Sequence, residues 1–176
     1  MNSDRERTPI PVVSCVGRSN SGKTTVLEHL IAELRRRRHR IAVVKHYHRS
    51  DVEFDVPGKD SWRFAQTGAE QVILAAQDRV IHIRRCEQAP TLAEVVGEIR
   101  DVDLILVEGY KGAAVPKIEV NRRARDPELV CVGDEMLIAV VSDQCFDLDV
   151  PQFDLADAAG LADLVEAHYL GERQRR

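Results

Sequence analysis

The sequence predicts an α/β fold built on a doubly wound, mostly parallel sheet with one inserted β-hairpin. Short apolar runs alternate along the chain with segments of helical periodicity, which is the order expected of βαβ units. Two of these runs, residues 104–107 and 137–141, are continuously apolar, as strands covered on both faces should be. A glycine-rich loop follows the first run, at residues 17–25, and doubly wound sheets bind ligands at such strand-to-helix turns.

The glycine-rich loop has the spacing of a phosphate-binding loop. Residues 17–24 match G-x-x-x-x-G-K-[ST], in which the backbone wraps around phosphate oxygens, the lysine reaches the β and γ phosphates, and the hydroxyl ligates magnesium. A helical pattern follows, so a helix N-terminus faces the anion. The motif therefore predicts a P-loop nucleotide-binding fold. Its predicted nucleotide-binding residues are Gly17, Asn20, Ser21, Gly22, Lys23, Thr24 and Thr25, and Thr24 is also a predicted metal ligand.

The elements after the first helix follow from local patterns. Two apolar runs flank Gln77-Asp78, which indicates a hairpin with a tight turn. Thr91 and Glu94 have the spacing of a capping box, which predicts the start of a helix. The predicted order is a strand at 41–46, a short helix at 60–67, the hairpin at 71–76 and 79–84, a helix at 92–100, strands at 104–107, 117–120 and 137–141, and a closing helix at 155–170.

Length and composition limit the class of protein. The 176 residues are about the size of one domain, so we expect a single nucleotide-binding domain over 1–176 with mobile tails at about 1–9 and 171–176. A net charge of −4 argues against a nucleic-acid surface, and no apolar run is long enough to cross a bilayer. The four cysteines have no metal-ligand spacing and are expected to be reduced and mostly buried. We therefore expect a cytoplasmic protein with no nucleic-acid or membrane partner.

Glu108 is the predicted catalytic residue and the second predicted metal ligand. In a doubly wound sheet, ligands gather at the carboxyl ends of the strands. Glu108 follows the apolar run 104–107, whereas Asp103 precedes it and lies roughly 16 Å away at the opposite edge. A carboxylate at this position is typical of a Walker B residue, which holds magnesium or orients a water. A solvent-facing acid at a strand end remains the alternative interpretation.

Two further groups of residues are candidates for the nucleotide site. Lys45 and His46 end the second strand at the same edge, and His48 lies two residues further on. We favour hydrogen bonding to phosphate or to a partner's ligand over a metal, because no cysteine or third histidine lies nearby. The other group surrounds a Pro-Gly turn and contains Asp55, Lys59 and Asp60. For Asp60, capping the helix that begins at Ser61 is an equally good interpretation.

The chain resembles the MobB family, the molybdopterin-guanine dinucleotide biosynthesis adapters, over most of residues 12–141. A phosphate loop alone marks a very large class of proteins. The narrower signal is a P-G-K-D-S segment together with E-G-Y-K and P-K-I-E segments. The segments that carry the resemblance are Lys45-His46-Tyr47-His48, residues 55–61, Gly68-Ala69, residues 103–111 and Pro116-Lys117-Ile118-Glu119.

The resemblance implies a homodimer that binds GTP and Mg²⁺ and hydrolyses GTP weakly. Its implied partner is the molybdopterin guanylyltransferase that joins GMP to molybdopterin, with molybdopterin itself as a second candidate. It also implies that Lys23 and Thr24 serve phosphate and magnesium, that Glu108 takes the Walker B place, and that residues 45–61 line the same cleft. The guanine preference rests on the likeness, because no N-K-x-D motif is present; Ser142 and Asp143 are the nearest candidates.

Two other classes of function stay open at this point. A small-molecule or nucleotide kinase uses the same loop and covers the transferred phosphate with an arginine-rich lid, for which Arg122, Arg123 and Arg125 are candidates. An interaction protein with a vestigial loop would keep the fold without nucleotide affinity. The homodimer itself is expected to form partly through the hairpin, because its outer strand lacks the proline or repeated lysines that protect a free edge.

Overall fold

The structure, a computed structural model, describes residues 9–47 and 55–171. The described residues form two compact units, one from residues 9–46 and 92–171 and the other from residues 47 and 55–91. The single domain over 1–176 stays a prediction. Most of the two expected tails lies outside the described residues, as does His48.

The first unit holds most of the regular structure. Its elements are β1 Val12–Val16, α1 Lys23–Arg36 and β2 Ile41–Lys45, and, after the second unit, α3 Leu92–Gly97, β5 Leu104–Glu108, β6 Lys117–Asn121, β7 Leu137–Ser142, β8 Gln152–Phe153, α4 Ala158–Val165 and a π-helical turn Glu166–Leu170. The elements of the second unit are α2 Asp60–Gln66, β3 Gln71–Ala75 and β4 Val80–Arg84.

The six strands of the first unit form one parallel sheet. Their order is β2-β5-β1-β6-β7-β8, and every neighbouring pair runs in the same direction. This arrangement confirms the doubly wound fold predicted from the sequence. Strand β8 was not predicted, because its two residues are too short to show a pattern. Helix α3 ends at Gly97 instead of Arg100, since glycine is a poor helix former, and the next residues bond as i→i−3 turns.

The two faces of the sheet are covered by different elements. Alternate side chains of the central strands, such as Leu104 and Leu106, pack on one face with the apolar stripe of α1 and with α4. Their neighbours Ile105 and Val107 pack on the other face with Leu92 of α3. The remaining part of that second face is covered by residues 129–131 and 146–150. Because all six strands are parallel, their carboxyl ends open at one edge, next to the N-terminus of α1.

The second unit contains the predicted hairpin. Strands β3 and β4 pair antiparallel from Gln71 opposite Arg84 to Ala75 opposite Val80, and they form a separate two-stranded sheet. Val72 is buried, but three large apolar side chains of the hairpin are at least half exposed. They are Ile73 at 61%, Val80 at 67% and Ile81 at 50%. The hairpin is thus confirmed, and it carries an apolar surface.

Two smaller expectations are tested by the described residues. All four cysteines are free; Cys15 and Cys131 are buried, whereas Cys86 and Cys145 are exposed. The expectation that the cysteines are mostly buried is therefore wrong for half of them, since both exposed thiols lie in irregular segments outside the core. No helix within the described ranges is both long and apolar enough to cross a membrane.

Candidate nucleotide site

The loop between β1 and α1 needs glycine at two positions. Gly17 has φ +138° and Gly22 has φ +98°, a region that side chains with a Cβ rarely adopt. At Gly17 there is also no room, because an added Cβ would lie 2.2 Å from the carbonyl oxygen of Val120 on β6. Asn20 adopts a left-handed conformation with φ 60°, which asparagine tolerates better than most residues. The loop is therefore a tight backbone turn pressed against the neighbouring strand.

The start of α1 presents backbone donors at this edge. Gly22 is the N-cap, and no acidic residue occupies the first helical turn. The N–H groups of Lys23, Thr24 and Thr25 have no carbonyl partner within the helix, because the first turn of any α-helix leaves its donors unpaired. Together with the helix dipole, these donors favour a bound anion.

Two side chains of the loop face inward. The Lys23 ammonium donates hydrogen bonds to the carbonyl oxygens of Gly17 at 3.1 Å and Arg18 at 2.7 Å, so it lies across the loop. Ser21 is 2% exposed, and its hydroxyl has no hydrogen-bond partner within residues 9–47 and 55–171. A buried polar atom without a partner in a turn of this kind fits a site that holds a polar ligand.

Glu108 lies beside the loop, as predicted. Its Oε2 accepts a hydrogen bond from the Thr24 hydroxyl at 3.1 Å and lies 3.4 Å from the Lys45 ammonium. Strand β5 places Glu108 there because β5 pairs with β1 and β2 in parallel register, with Cys15 and Lys45 opposite Glu108. Asp103 is at the other end of β5, where it accepts a hydrogen bond from the Arg40 backbone N–H at 2.7 Å.

These two oxygen donors fit a magnesium ion. Mg²⁺ binds hard oxygen ligands and commonly uses only one or two protein groups together with substrate phosphates. The Thr24 hydroxyl and the Glu108 carboxylate meet that description. The described residues contain no group of three histidine, cysteine or acidic side chains that would hold a metal on its own. Bound magnesium would neutralise the negative charge of the phosphate oxygens. The Lys45 ammonium already neutralises part of the charge of the Glu108 carboxylate.

His46 belongs to the same edge through a contact that the sequence did not reveal. Its ring stacks on Tyr110 with centroids 4.1 Å apart, and its backbone N–H donates to the Glu108 carbonyl at 2.9 Å. Gly109 makes this possible, because an added Cβ would lie 2.9 Å from the His46 Cβ. The buried Ser14 hydroxyl donates to the Gly109 carbonyl at 2.6 Å and fixes the same turn. A serine inside the apolar run of β1 was the available sequence signal for Ser14.

The remaining predicted site residues lie in the second unit. Pro57-Gly58 forms a turn closed by the Lys59 N–H and the Val56 carbonyl, with Gly58 at φ +86°. The backbone N–H of Val56 donates to the Asp55 carboxylate at 2.8 Å. The place of Asp55, Lys59 and Asp60 in the nucleotide site stays a prediction.

The capping interpretation of Asp60 is wrong. Lys59 is the N-cap of α2, no side chain caps this helix, and Asp60 already belongs to its first turn. The Asp60 carboxylate lies 3.6 Å from the Arg63 guanidinium one turn further on.

The chain matches one protein family over most of its length. A family model described as "Molybdopterin guanine dinucleotide synthesis protein B" matches residues 12–143. The chain belongs to the MobB family. It is 36% identical over 169 residues to the molybdopterin-guanine dinucleotide biosynthesis adapter protein of Haemophilus influenzae, covering 93% of this chain and 94% of that one. The protein of the same name from Escherichia coli is 39% identical over 166 residues, covering 90% and 93%.

Solved structures agree with this assignment. A crystal structure of molybdopterin-guanine biosynthesis protein B matches with a TM-score of 0.72 and 28% identity, over 89% of this chain and 98% of that one. A crystal structure of Bacillus subtilis MobB, at 24% identity, gives the same TM-score of 0.72 and supports the fold alone. The comparisons confirm the family and the fold class predicted from the sequence.

Proposed function

We propose that this chain is a GTP-binding adapter that assists the attachment of GMP to molybdopterin. The single observation that carries the proposal is the combination of a MobB family match over residues 12–143 with a phosphate-loop geometry in the same segment. The names of the two bacterial relatives describe the adapter role. Its partner is then a molybdopterin guanylyltransferase, and molybdopterin is a second candidate ligand.

In this proposal each residue at the sheet edge has a distinct role. The backbone of Gly17, Asn20, Ser21 and Gly22 surrounds the phosphates, and the first-turn N–H groups of α1 donate to them. Lys23 exchanges its two carbonyl contacts for phosphate oxygens. Thr24 and Glu108 hold magnesium, and Glu108 orients water for the weak hydrolysis of GTP. Lys45 and His46 border the site.

The base of the nucleotide is proposed to lie near Ser142 and Asp143. Ser142 is the last residue of β7 and Asp143 follows it, and the carboxyl end of this strand opens at the same edge as the phosphate loop. The Asp143 Oδ1 accepts a hydrogen bond from the Arg123 backbone N–H at 2.8 Å, which fixes the carboxylate at this edge. A carboxylate accepts hydrogen bonds, and guanine offers the N1–H and N2–H donors on one edge of the base. Adenine has an acceptor at N1, so a carboxylate suits guanine better.

We also propose that the protein is a cytoplasmic homodimer joined partly through the hairpin. The four free thiols support a reducing compartment. The exposed apolar side chains of β3 and β4 support the dimer, since an open apolar edge is normally paired or protected. A second copy of the chain is the most economical occupant, because a two-fold contact uses one surface twice and then closes.

Reconstitution with purified guanylyltransferase tests the adapter role. We expect the rate of molybdopterin guanine dinucleotide formation from molybdopterin and GTP to rise when the chain is added, and Lys23→Ala to remove that stimulation. An unchanged rate would contradict the proposal. Transfer of a phosphoryl group from the nucleotide to a small molecule would establish the kinase alternative instead.

A further inference from the structure

Strand β6 carries polar side chains on a face where central strands are normally apolar. Lys117, Glu119 and Asn121 are 3%, 1% and 4% exposed, whereas Ile118 and Val120 between them enter the main core. Burying ionised groups is unfavourable unless they are paired and hydrogen-bonded. Each of these three side chains has partners in the segment that follows, residues 122–136, and Asn121 also accepts hydrogen bonds from Ser142 and Gln144.

Each of the three side chains fixes part of that segment. The two carboxylate oxygens of Glu119 accept hydrogen bonds from the backbone N–H groups of Val130 at 2.7 Å and Cys131 at 2.8 Å. Asn121 donates to the carbonyl oxygens of Asp126 at 3.1 Å and Glu128 at 3.0 Å. Lys117 pairs with Asp134 at 2.9 Å, and Leu129 and Cys131 are buried against the sheet. The segment is therefore held in one position along its length.

This fixed segment begins beside the phosphate loop. Arg122 is its first residue, and its guanidinium lies 3.7 Å from the point that a Cβ on Gly22 would occupy. An ion pair between Arg18 of the loop and Asp126 joins the two segments. Within residues 9–47 and 55–171, no carboxylate or other acceptor bonds to the Arg122 guanidinium. Among the described residues, a cation without a bonded partner thus lies at Gly22, the N-cap of α1, and the residue before Gly22 is Ser21, whose buried hydroxyl is also unpaired.

We propose that Arg122 binds phosphate oxygens of the nucleotide held by residues 17–24. The proposal rests on the proposed function, and it adds a residue that the phosphate-loop motif does not contain. Because β1 lies between β5 and β6, Glu108 stands on one flank of the loop and Arg122 on the other. An arginine fork matches phosphate geometry with two parallel hydrogen bonds. The buried contacts of Glu119 and Asn121 hold the backbone on both sides of Arg122, whose own side chain is exposed.

Titration of the full-length protein tests this role with two probes, GTP and inorganic tripolyphosphate, each with Mg²⁺. We expect Arg122→Ala to weaken the affinity for both probes by about tenfold or more, since a hydrogen bond between charged groups is lost. Arg122→Lys should fall between wild type and Arg122→Ala, because it keeps the charge without the fork. The control is Arg125→Ala, in the same segment, with the same loss of charge and a side chain that is exposed like that of Arg122. It should change affinity less than about twofold, because no atom of Arg125 lies within 4 Å of the Gly22 Cβ position.

The outcomes separate this inference from the proposed function. If wild type and Arg122→Ala bind both probes equally, the inference is wrong and the phosphate loop stands. A loss for GTP but not for tripolyphosphate, or an equal loss in Arg125→Ala, also overturns a phosphate contact by Arg122. If wild type binds neither probe, both proposals fail together. Should Arg122→Ala not fold, Arg122→Gln gives the same comparison, because its longer side chain preserves the packing of the stem.

Discussion

The Thr24 hydroxyl donates a hydrogen bond of 3.1 Å to Oε2 of Glu108, although the two residues are 84 positions apart in the chain. The bond joins the first turn of α1 to the end of β5. The Lys45 ammonium lies 3.4 Å from the same oxygen, so the Glu108 carboxylate contacts both a hydroxyl and an ammonium group. The glycine-rich loop, a hydroxyl and a carboxylate thus meet at one edge of the sheet.

Glu108→Gln is expected to depress GTP hydrolysis more than GTP binding. The amide keeps the shape of the side chain but removes the charge that holds magnesium or orients water, so the rate should fall by about tenfold or more. Single-turnover hydrolysis and equilibrium binding measure the two effects separately. Thr24→Ser, which keeps the hydroxyl, is the matched control. Unaffected hydrolysis in Glu108→Gln would exclude this carboxylate from the reaction and make Asp55 or Asp60 the better candidate.

Gly17→Ala should unfold the loop even though the change is one methyl group. The new Cβ would lie 2.2 Å from the Val120 carbonyl oxygen, and φ is +138°. We expect the free energy of unfolding to fall by about 2 kcal/mol or more, with loss of nucleotide binding. Gly112→Ala is the control, because no atom lies within 4 Å of its Cβ position. Chemical denaturation compares the two, and equal stability would contradict the close approach of the loop to β6.

The sequence was sufficient for the parts of the site that depend on local patterns. The loop from Gly17 to Thr24 is contiguous, and the edge rule correctly separated Glu108 from Asp103, because Glu108 ends β5 and Asp103 precedes it. Ser14 and Tyr110 were not predicted. Their contacts depend on a turn in which Gly109 has φ +103° and Tyr110 has φ 51°. No sequence pattern predicts that a tyrosine adopts this left-handed backbone conformation.

The sequence pointed to Arg122 only as a lid candidate of the kinase alternative; its place beside the loop could not be predicted, because it depends on the order of strands in the sheet. Strand β6 lies beside β1 although about 100 residues separate them, and only this pairing brings Arg122 to the phosphate loop. One signal was present. Lys117, Glu119 and Asn121 alternate with Ile118 and Val120, which is unusual for a central strand buried on both faces.

The contact between α1 and the last helix should make stability depend on pH in the acid range. Glu166 accepts from Arg37 at 2.6 Å and lies 2.5 Å from the His39 ring. Burial raises the pKa of Glu166, but hydrogen bonds from His39 and Arg37 outweigh it and hold the pKa below the ordinary 4.5. The unfolded chain therefore takes up the proton first as pH falls, so the stabilisation is full above pH 4.5 and is lost as pH drops through the folded-state pKa.

Glu166→Gln tests this account by denaturation at several pH values. At pH 7 the variant should be less stable by about 1 to 2 kcal/mol, because the hydrogen bonds to charged partners are weakened. Below pH 4.5 the difference from wild type should shrink. Glu28→Gln, on the exposed face of α1, should change stability by less than about 0.5 kcal/mol at any pH. A difference that grows on acidification would contradict the assigned direction.

Lysine on the hairpin should produce monomers. Val80 and Ile81 are 67% and 50% exposed on β4, so Val80→Lys with Ile81→Lys adds charge without emptying a core. Sedimentation velocity at micromolar concentration should find wild type dimeric and the variant monomeric, with nucleotide affinity retained. Val132→Lys changes a valine of 68% exposure in the first unit and should remain dimeric. Monomeric wild type would end the dimer proposal, and a dimer that survives both lysines would place the interface elsewhere.

The most direct measurement is a calorimetric titration of GTP with Mg²⁺ into wild type and Lys23→Ala. The Lys23 ammonium contacts only the loop carbonyls of Gly17 and Arg18 among the described residues, so alanine should leave the fold and the melting temperature nearly unchanged. We predict saturable binding of one GTP per chain by wild type and an affinity lower by about a hundredfold in Lys23→Ala, since a charged contact to phosphate is lost. Equal affinity in both proteins, or no binding of GTP by wild type, would contradict the nucleotide site.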